Sequence, residues 1–252
     1  MALAGAILGL AVGAGAALAA SGSPDGGVLD GRMYFSATGS GSDAELWRTN
    51  GTGGGTTRFK DINPGPQASG PGSFARLGRR LIFDASDGAA ASGSEPWRTN
   101  GTSSGTKRIK DIVPGPGSSG AFGFTRLGKL VLFAATTPGS GYELWRTDGT
   151  GSGTRKLKEI NPGPDDSIPV GFVKLGKRLY FKADDGTSGS ELWRTDGTKR
   201  GTKRVKDINP GTETLIPRTS PDSASASTSR PTTAPRATSS GERTAGSAGP
   251  GA

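Results

Sequence analysis

Four nearly identical phrases constrain this chain more than any other feature: ELWRTNGT at 45–52, EPWRTNGT at 95–102, and ELWRTDGT at both 143–150 and 191–198. Their tryptophans, Trp47, Trp97, Trp145 and Trp193, stand 50, 48 and 48 residues apart. A fixed period in this range marks a tandem-repeat protein, in which a small unit buries its apolar surface by stacking on its neighbours.

The last complete copy divides into four short segments, GFVKLG, RLYFKAD, SELWRT and TKRVKDI. The second recurs as RMYFSA, RLIFDA and LVLFAA around Phe35, Phe83, Phe133 and Phe181. Such runs are aromatic and aliphatic, too short for a helix and bounded by glycine, so they predict strands. They do not alternate apolar with polar, which implies cover on both faces. Neighbours in a strand point to opposite sides, so Leu46 and Trp47, Leu144 and Trp145, and Leu192 and Trp193 each demand two covers. A sheet sandwiched in this way predicts an all-β array of four-stranded antiparallel units, β-propeller-like and an incomplete or open arc. The Leu, Trp and Phe positions named here, with Trp97, form the expected repeat core.

The glycines place the turns. Asn50-Gly51, Asn100-Gly101, Asp148-Gly149 and Asp196-Gly197 are dipeptides that tolerate positive φ at both centres of a tight hairpin. Gly78, Gly128 and Gly176 turn the first strand into the second, and a Pro-Gly pair ends each unit. The units divide as 21–66 (with a partial first strand), 67–116, 117–164 and 165–212. Pro96 stands where the other copies have Leu; lacking an N–H, it predicts a strand distorted there or paired on one side only.

The repeated ELWRTDGT and the closing DINPG resemble the ELWxxDGT repeat family of bacterial exported proteins, over about 31–211. The resemblance implies tandem repeats in an exported protein and carries no catalytic residues with it.

Residues 1–20 are uncharged, small and apolar, and end in an Ala-Leu-Ala run, as a secretory signal peptide does. No other segment could span a bilayer as a helix. Residues 213–252 are low in complexity, and from Arg218 they contain no Val, Ile, Leu or aromatic residue. At face value this is a disordered Ser/Thr/Pro-rich tail. The period places the next Trp at 241, however, and a shifted reading frame from Pro217 is compatible with a fifth copy in register. The frameshifted repeat is the favoured reading. An array cut short in this way would leave an exposed blade edge and poor solubility.

Composition limits the chemistry. The chain has no Cys and no His, which removes disulfides, Ser-His-Asp triads, Cys nucleophiles and the usual zinc ligands. Its 31 Lys and Arg against 22 Asp and Glu give a formal charge of +9, spread through every repeat. Such an excess attracts anionic surfaces. No nucleic-acid motif accompanies it, and a solvated, mildly basic surface is the favoured reading; the partner stays open, with an anionic glycan or another protein at the cell envelope as the candidates.

Asp165-Asp166 and Asp184-Asp185 read as turn formers, being too few for a calcium loop. The four Trp could form a sugar-stacking surface, with core packing favoured. Arg48, Arg98, Arg146 and Arg194 follow each Trp. They either line an anionic site or stack on a neighbouring blade and pair with a repeat carboxylate such as Glu45 or Glu191. The expectation is a secreted or envelope-located, non-catalytic binding or structural module without a cofactor. The alternatives are a non-functional fragment and a polysaccharide-active glycosidase or lyase.

Overall fold

A computed structural model describes residues 26–210, save Ser40, Ser42, residues 89–92 and Asn209. The leader and the tail beyond 212, with its shifted-frame reading, lie outside the described residues. The described residues belong to one compact unit and contain sixteen strands and no helix.

Four strands make each sheet, paired antiparallel in chain order. The first holds β1 (Gly26–Leu29), β2 (Arg32–Thr38), β3 (Ala44–Thr49) and β4 (Thr57–Lys60). The second holds β5 (Gly72–Leu77), β6 (Arg80–Ser86), β7 (Ser94–Thr99) and β8 (Lys107–Arg108). The third holds β9 (Phe122–Leu127), β10 (Leu130–Thr137), β11 (Ser140–Thr147) and β12 (Arg155–Lys158). The fourth holds β13 (Val170–Leu175), β14 (Arg178–Asp184), β15 (Ser190–Thr195) and β16 (Lys203–Lys206). This is the β-propeller-like, all-β arrangement that the repeat spacing predicts. β1 packs on β5, β5 on β9 and β9 on β13, so the first strands share the inner margin of the array.

Each blade is buried through both faces, because each strand sends alternate side chains to opposite neighbours. On β6, Leu81, Phe83 and Ala85 join Leu29, Tyr34 and Leu46 of the preceding blade. Ile82, between them, joins Phe124, Phe133 and Trp145 of the following one. The third joint repeats this, with Leu132 and Leu144 meeting Phe181 and Trp193. A Phe pair packs inside every joint, stacked for Phe74 with Phe83 and Phe124 with Phe133 and tilted for Phe172 with Phe181, with ring centroids 5.2, 4.8 and 5.1 Å apart. Truncating one buried Phe of this kind to Ala costs about 3–5 kcal/mol.

Two sequence expectations are corrected here. Trp97, Trp145 and Trp193 are 7%, 6% and 6% exposed, but Trp47 and Phe35 are only half-buried, since no blade precedes theirs among the described residues. Leu192 is half-buried for the converse reason, while Leu46 and Leu144 are fully covered. The Asn-Gly and Asp-Gly pairs are also not two-residue hairpin turns. Only the glycines have positive φ (91° at Gly51, 86° at Gly101, 84° at Gly149, 88° at Gly197), and each chain segment continues through several more residues before the fourth strand. The two-residue turns stand instead between first and second strands, where Leu77 faces Arg80, Leu127 faces Leu130 and Leu175 faces Arg178.

Pro96 behaves as its missing N–H requires. It stays in register with Asp84 on β6, but on its other side β8 shrinks to two residues where the other fourth strands have four. The Pro96 carbonyl still accepts from Ile109 N at 2.8 Å.

Candidate functional site

Because every blade is the same meander, its loops sort to two ends of the array. The blade-to-blade connectors and second-to-third loops lie at one end, the first-to-second turns and third-to-fourth loops at the other.

At the connector end the repeat glutamate is a keystone. Glu45, Glu95, Glu143 and Glu191 are all buried. Glu143 Oε2 accepts from Ile160 N at 2.6 Å and Ser167 Oγ at 2.9 Å, and its Oε1 from Asn161 N at 3.0 Å. Glu45 takes Ile62 N at 2.7 Å together with Ser69 N and Oγ at 3.1 and 2.7 Å. Glu95 takes Ile112 N, Val113 N and Ser119 N at 2.9, 3.2 and 3.2 Å. One carboxylate thus fastens both the DINPG segment and the serine that opens the next blade. Burial pushes the Glu95 and Glu143 carboxyls above their usual range, and the donated N–H groups partly offset it. For Glu45, Glu95 and Glu143 the bonds shown come from backbone N–H groups and serine hydroxyls and not from the arginines after Trp. Sequence reading missed this role. The signal was available in a Glu at one position of every copy followed, 24 residues on, by Ser69, Ser119 and Ser167.

The exposed acids at this end are largely satisfied. Arg58 bridges Asp43 and Asp61 at 2.8 and 2.9 Å, and Arg204 bridges Asp185 and Asp207 at 3.5 and 3.3 Å. Lys156 pairs with Glu159 at 3.0 Å. Asp184-Asp185 acts as a turn former, Asp184 Oδ1 accepting from Gly186 N at 2.8 Å and Asp185 Oδ1 from Thr187 N and Ser188 N at 3.1 and 2.9 Å, whereas Asp166 Oδ1 accepts from Tyr142 N at 2.7 Å and ties the connector to β11 instead of closing a turn. Among the described residues no group of three or more acidic side chains is placed to hold a metal.

At the turn end each Asn/Asp-Gly-Thr segment is closed by its own side chains. Asp148 Oδ1 accepts from Thr150 N and Oγ1 at 2.9 and 2.6 Å, and Thr150 Oγ1 accepts from Gly153 N at 3.0 Å. Thr147 and Thr154 join hydroxyls at 2.7 Å, as do Thr49 with Thr56, Thr99 with Thr106 and Thr195 with Thr202. A side chain at Gly153 would strike the Asp148 carboxylate, which explains the second glycine of each loop.

The arginines after Trp divide by blade. Arg98 Nη1 donates to the Gly149 carbonyl at 2.5 Å, and Arg146 Nη1 to the Gly197 carbonyl at 3.1 Å, each reaching the loop of the next blade. Arg48 lies over the Phe59 ring, 4.8 Å from its centroid. Arg194, on the last described blade, lines an open cavity of about 270 Å³ with Arg178, Arg200, Lys203 and Asp196. Two of the four therefore lock joints. With three of the four Trp buried, the tryptophans do not form a sugar-stacking surface.

The exposed positive charge gathers at this same end. The first-to-second turns carry Arg76, Arg79 and Arg80 on the second blade, Arg126 and Lys129 on the third, and Lys174, Lys177 and Arg178 on the fourth, all exposed. A cavity of about 380 Å³ opens between the second and third blades, lined by Arg79, Arg80, Arg126, Lys129 and Asp148. Among the described residues the acids at this end are Asp30, Asp148 and Asp196; Thr198, donating to Asp196, holds that carboxyl below its usual range. A charge that looks evenly dispersed along the chain is thus concentrated at one end in space.

Known proteins resemble the chain in architecture. No family model matches it, and no curated protein matches it in sequence. Solved structures similar to it include TolB from Acinetobacter baumannii (17% identity, 68% of this chain and 39% of TolB, TM-score 0.42). Others are a putative TolB from Agrobacterium tumefaciens (13% identity, 75% and 66%, TM-score 0.46) and puromycin hydrolase (13% identity, 74% and 28%, TM-score 0.46). The chain spans less than two thirds of the length of each.

Proposed function

We propose that the protein is an exported, non-catalytic binding module of the ELWxxDGT repeat type, and that its turn end binds an anionic polysaccharide. The observation that carries the reading is the separation of charge. Acids at the connector end are bridged by Arg58, Arg108, Lys156 and Arg204, whereas Arg79, Arg80, Arg126 and Lys129 converge on one open cavity. Three successive turns present basic groups at the repeat of the blades, which suits a polymer with charges along its length. Guanidinium groups dominate the second blade, and their planar donor pairs match carboxylate or sulfate oxygens. No exposed aromatic platform accompanies them on these turns, which favours a glycan over single-stranded nucleic acid.

The test is retention of the full chain on an immobilised carboxylated or sulfated polysaccharide across a salt gradient. The wild-type chain elutes at high salt, and Arg79→Glu/Arg80→Glu/Lys129→Glu elutes early while melting no lower than the wild type. Equal retention of the triple variant would defeat the reading.

A further inference from the structure

The apolar side chains that make the blade joints belong to two distinct sets. One faces the preceding blade: on the second blade it is Phe74, Leu81, Phe83, Ala85 and Trp97. The other faces the following blade: on the third it is Leu127, Leu132, Leu144, Leu157 and Ile160. Every joint in the array is the second set of one blade against the first set of the next.

Both sets are also present, uncovered, at the two ends. The first blade offers Met33 (40% exposed), the counterpart of the fully buried Leu81, Val131 and Leu179, and the half-buried Phe35 and Trp47 on the face where later blades meet their predecessor. The fourth blade offers Leu175 (68%), Val205 (43%), Ile208 (51%) and the half-buried Tyr180 and Leu192 on the face where earlier blades meet their successor. Leu175, for example, is the counterpart of Leu77 and Leu127, which are 9% and 7% exposed inside their joints. Exposed apolar surface in the array is concentrated on these two faces. Their chemistry is that of the internal joints, one half at each end.

We propose that a second copy of this chain covers them. The fourth blade of one molecule stacks on the first blade of the other, and the reciprocal joint closes a ring of eight blades, the upper end of the usual range for a propeller. The polar lock of the second and third internal joints extends to the new one: Arg98 and Arg146 reach the next blade's Gly149 and Gly197 carbonyls, and Arg194 would reach the Gly51 carbonyl of the second copy. A contact between unlike faces is heterologous, and two such contacts close only if the curvature suits; otherwise chains extend into longer assemblies.

The experiment is the mass in solution of the full chain by light scattering. The wild-type chain runs as a dimer. Met33→Glu, which disables only the leading face, and Leu175→Glu, which disables only the trailing face, each run as a monomer. An equimolar mixture of the two restores a dimer through the one intact pairing, which also shows that both variants are folded. A monomeric wild-type chain, or a mixture that stays monomeric, overturns head-to-tail stacking. A wild-type ladder of larger species that both substitutions abolish overturns the closed ring.

Discussion

The two ends of the array are built from the same four repeats and solve opposite problems. At the connector end, backbone must leave one blade and enter the next, and the buried N–H groups of that crossing need acceptors. The repeat glutamate supplies them from inside, with Glu143 taking Ile160 N, Asn161 N and Ser167 Oγ. At the turn end each loop satisfies itself through Asp148, Thr150 and the Thr147–Thr154 pair. Beyond the single bonds that Arg98 and Arg146 make to the next loop, its connections are local, so the rest of its surface is free to vary in charge. One end carries the continuity of the fold; the other can carry recognition.

This division predicts a steep ordering of substitutions. Glu143→Ala has the largest effect, because it strands three buried donors at once; each costs about 1–3 kcal/mol, and a loss of about 3–5 kcal/mol is expected in denaturant titration. Glu143→Gln falls between, since its amide oxygen accepts while its NH₂ faces a donor. A cost for Glu143→Ala no greater than that of an exposed substitution would break the comparison. Next comes Thr147→Val at the turn end. It removes a hydroxyl that bonds Thr154 Oγ1 and accepts from Gly149 N at 2.9 Å, so about 1–2 kcal/mol is expected.

Sequence reasoning reached the blade because each of its signals is local or periodic: the Leu-Trp pair, the glycines and the 48-residue step. It reached the one-sided pairing at Pro96 for the same reason, a missing N–H being a property of the residue. It misassigned Asn50-Gly51 because the loop is set by side-chain bonds to Thr52 and Gly55 across several residues, which resemble a tight turn only as a dipeptide. It missed the glutamate keystone because the bond from Glu45 to Ser69 crosses a blade boundary. It missed the basic end because alternation of strand direction carries Arg79 and Lys129 to one pole and Arg58 and Arg108 to the other, and linear charge counts do not see this.

Asp84 gives a comparable but pH-dependent effect at the connector end. It lies opposite Pro96 on β6, where the other blades have Ser36, Ala134 and Lys182. Burial raises its carboxyl from 3.8 to about 7, with Ser94 Oγ, 3.3 Å away, opposing the rise. A folded pKa above the unfolded one means the native state binds the proton more tightly. Its contribution is therefore fully present below about pH 4 and is lost as pH rises toward 7. Asp84→Ser should stabilise the protein at pH 8 relative to wild type, by on the order of 1–3 kcal/mol, and the gain should shrink on acidification. Thermal melts at pH 5 and pH 8 measure this directly, and a gain that does not depend on pH would mean that Asp84 ionisation is not its cause.

The smallest stability effect belongs to the basic turns, and that smallness is informative. Arg79 and Arg80 are exposed, so replacing both with Glu should move stability by no more than about 0.5 kcal/mol each. Any change should be favourable, since like charges from Arg126 and Lys129 share the same cavity. Relief of that repulsion fades with salt. A melt that rises in low salt and returns to the wild-type value in high salt would show that this end holds its charges at a cost to folding. A fall in both salts would instead place the two arginines among the groups that hold the blade together, and the contrast between the two ends would no longer stand.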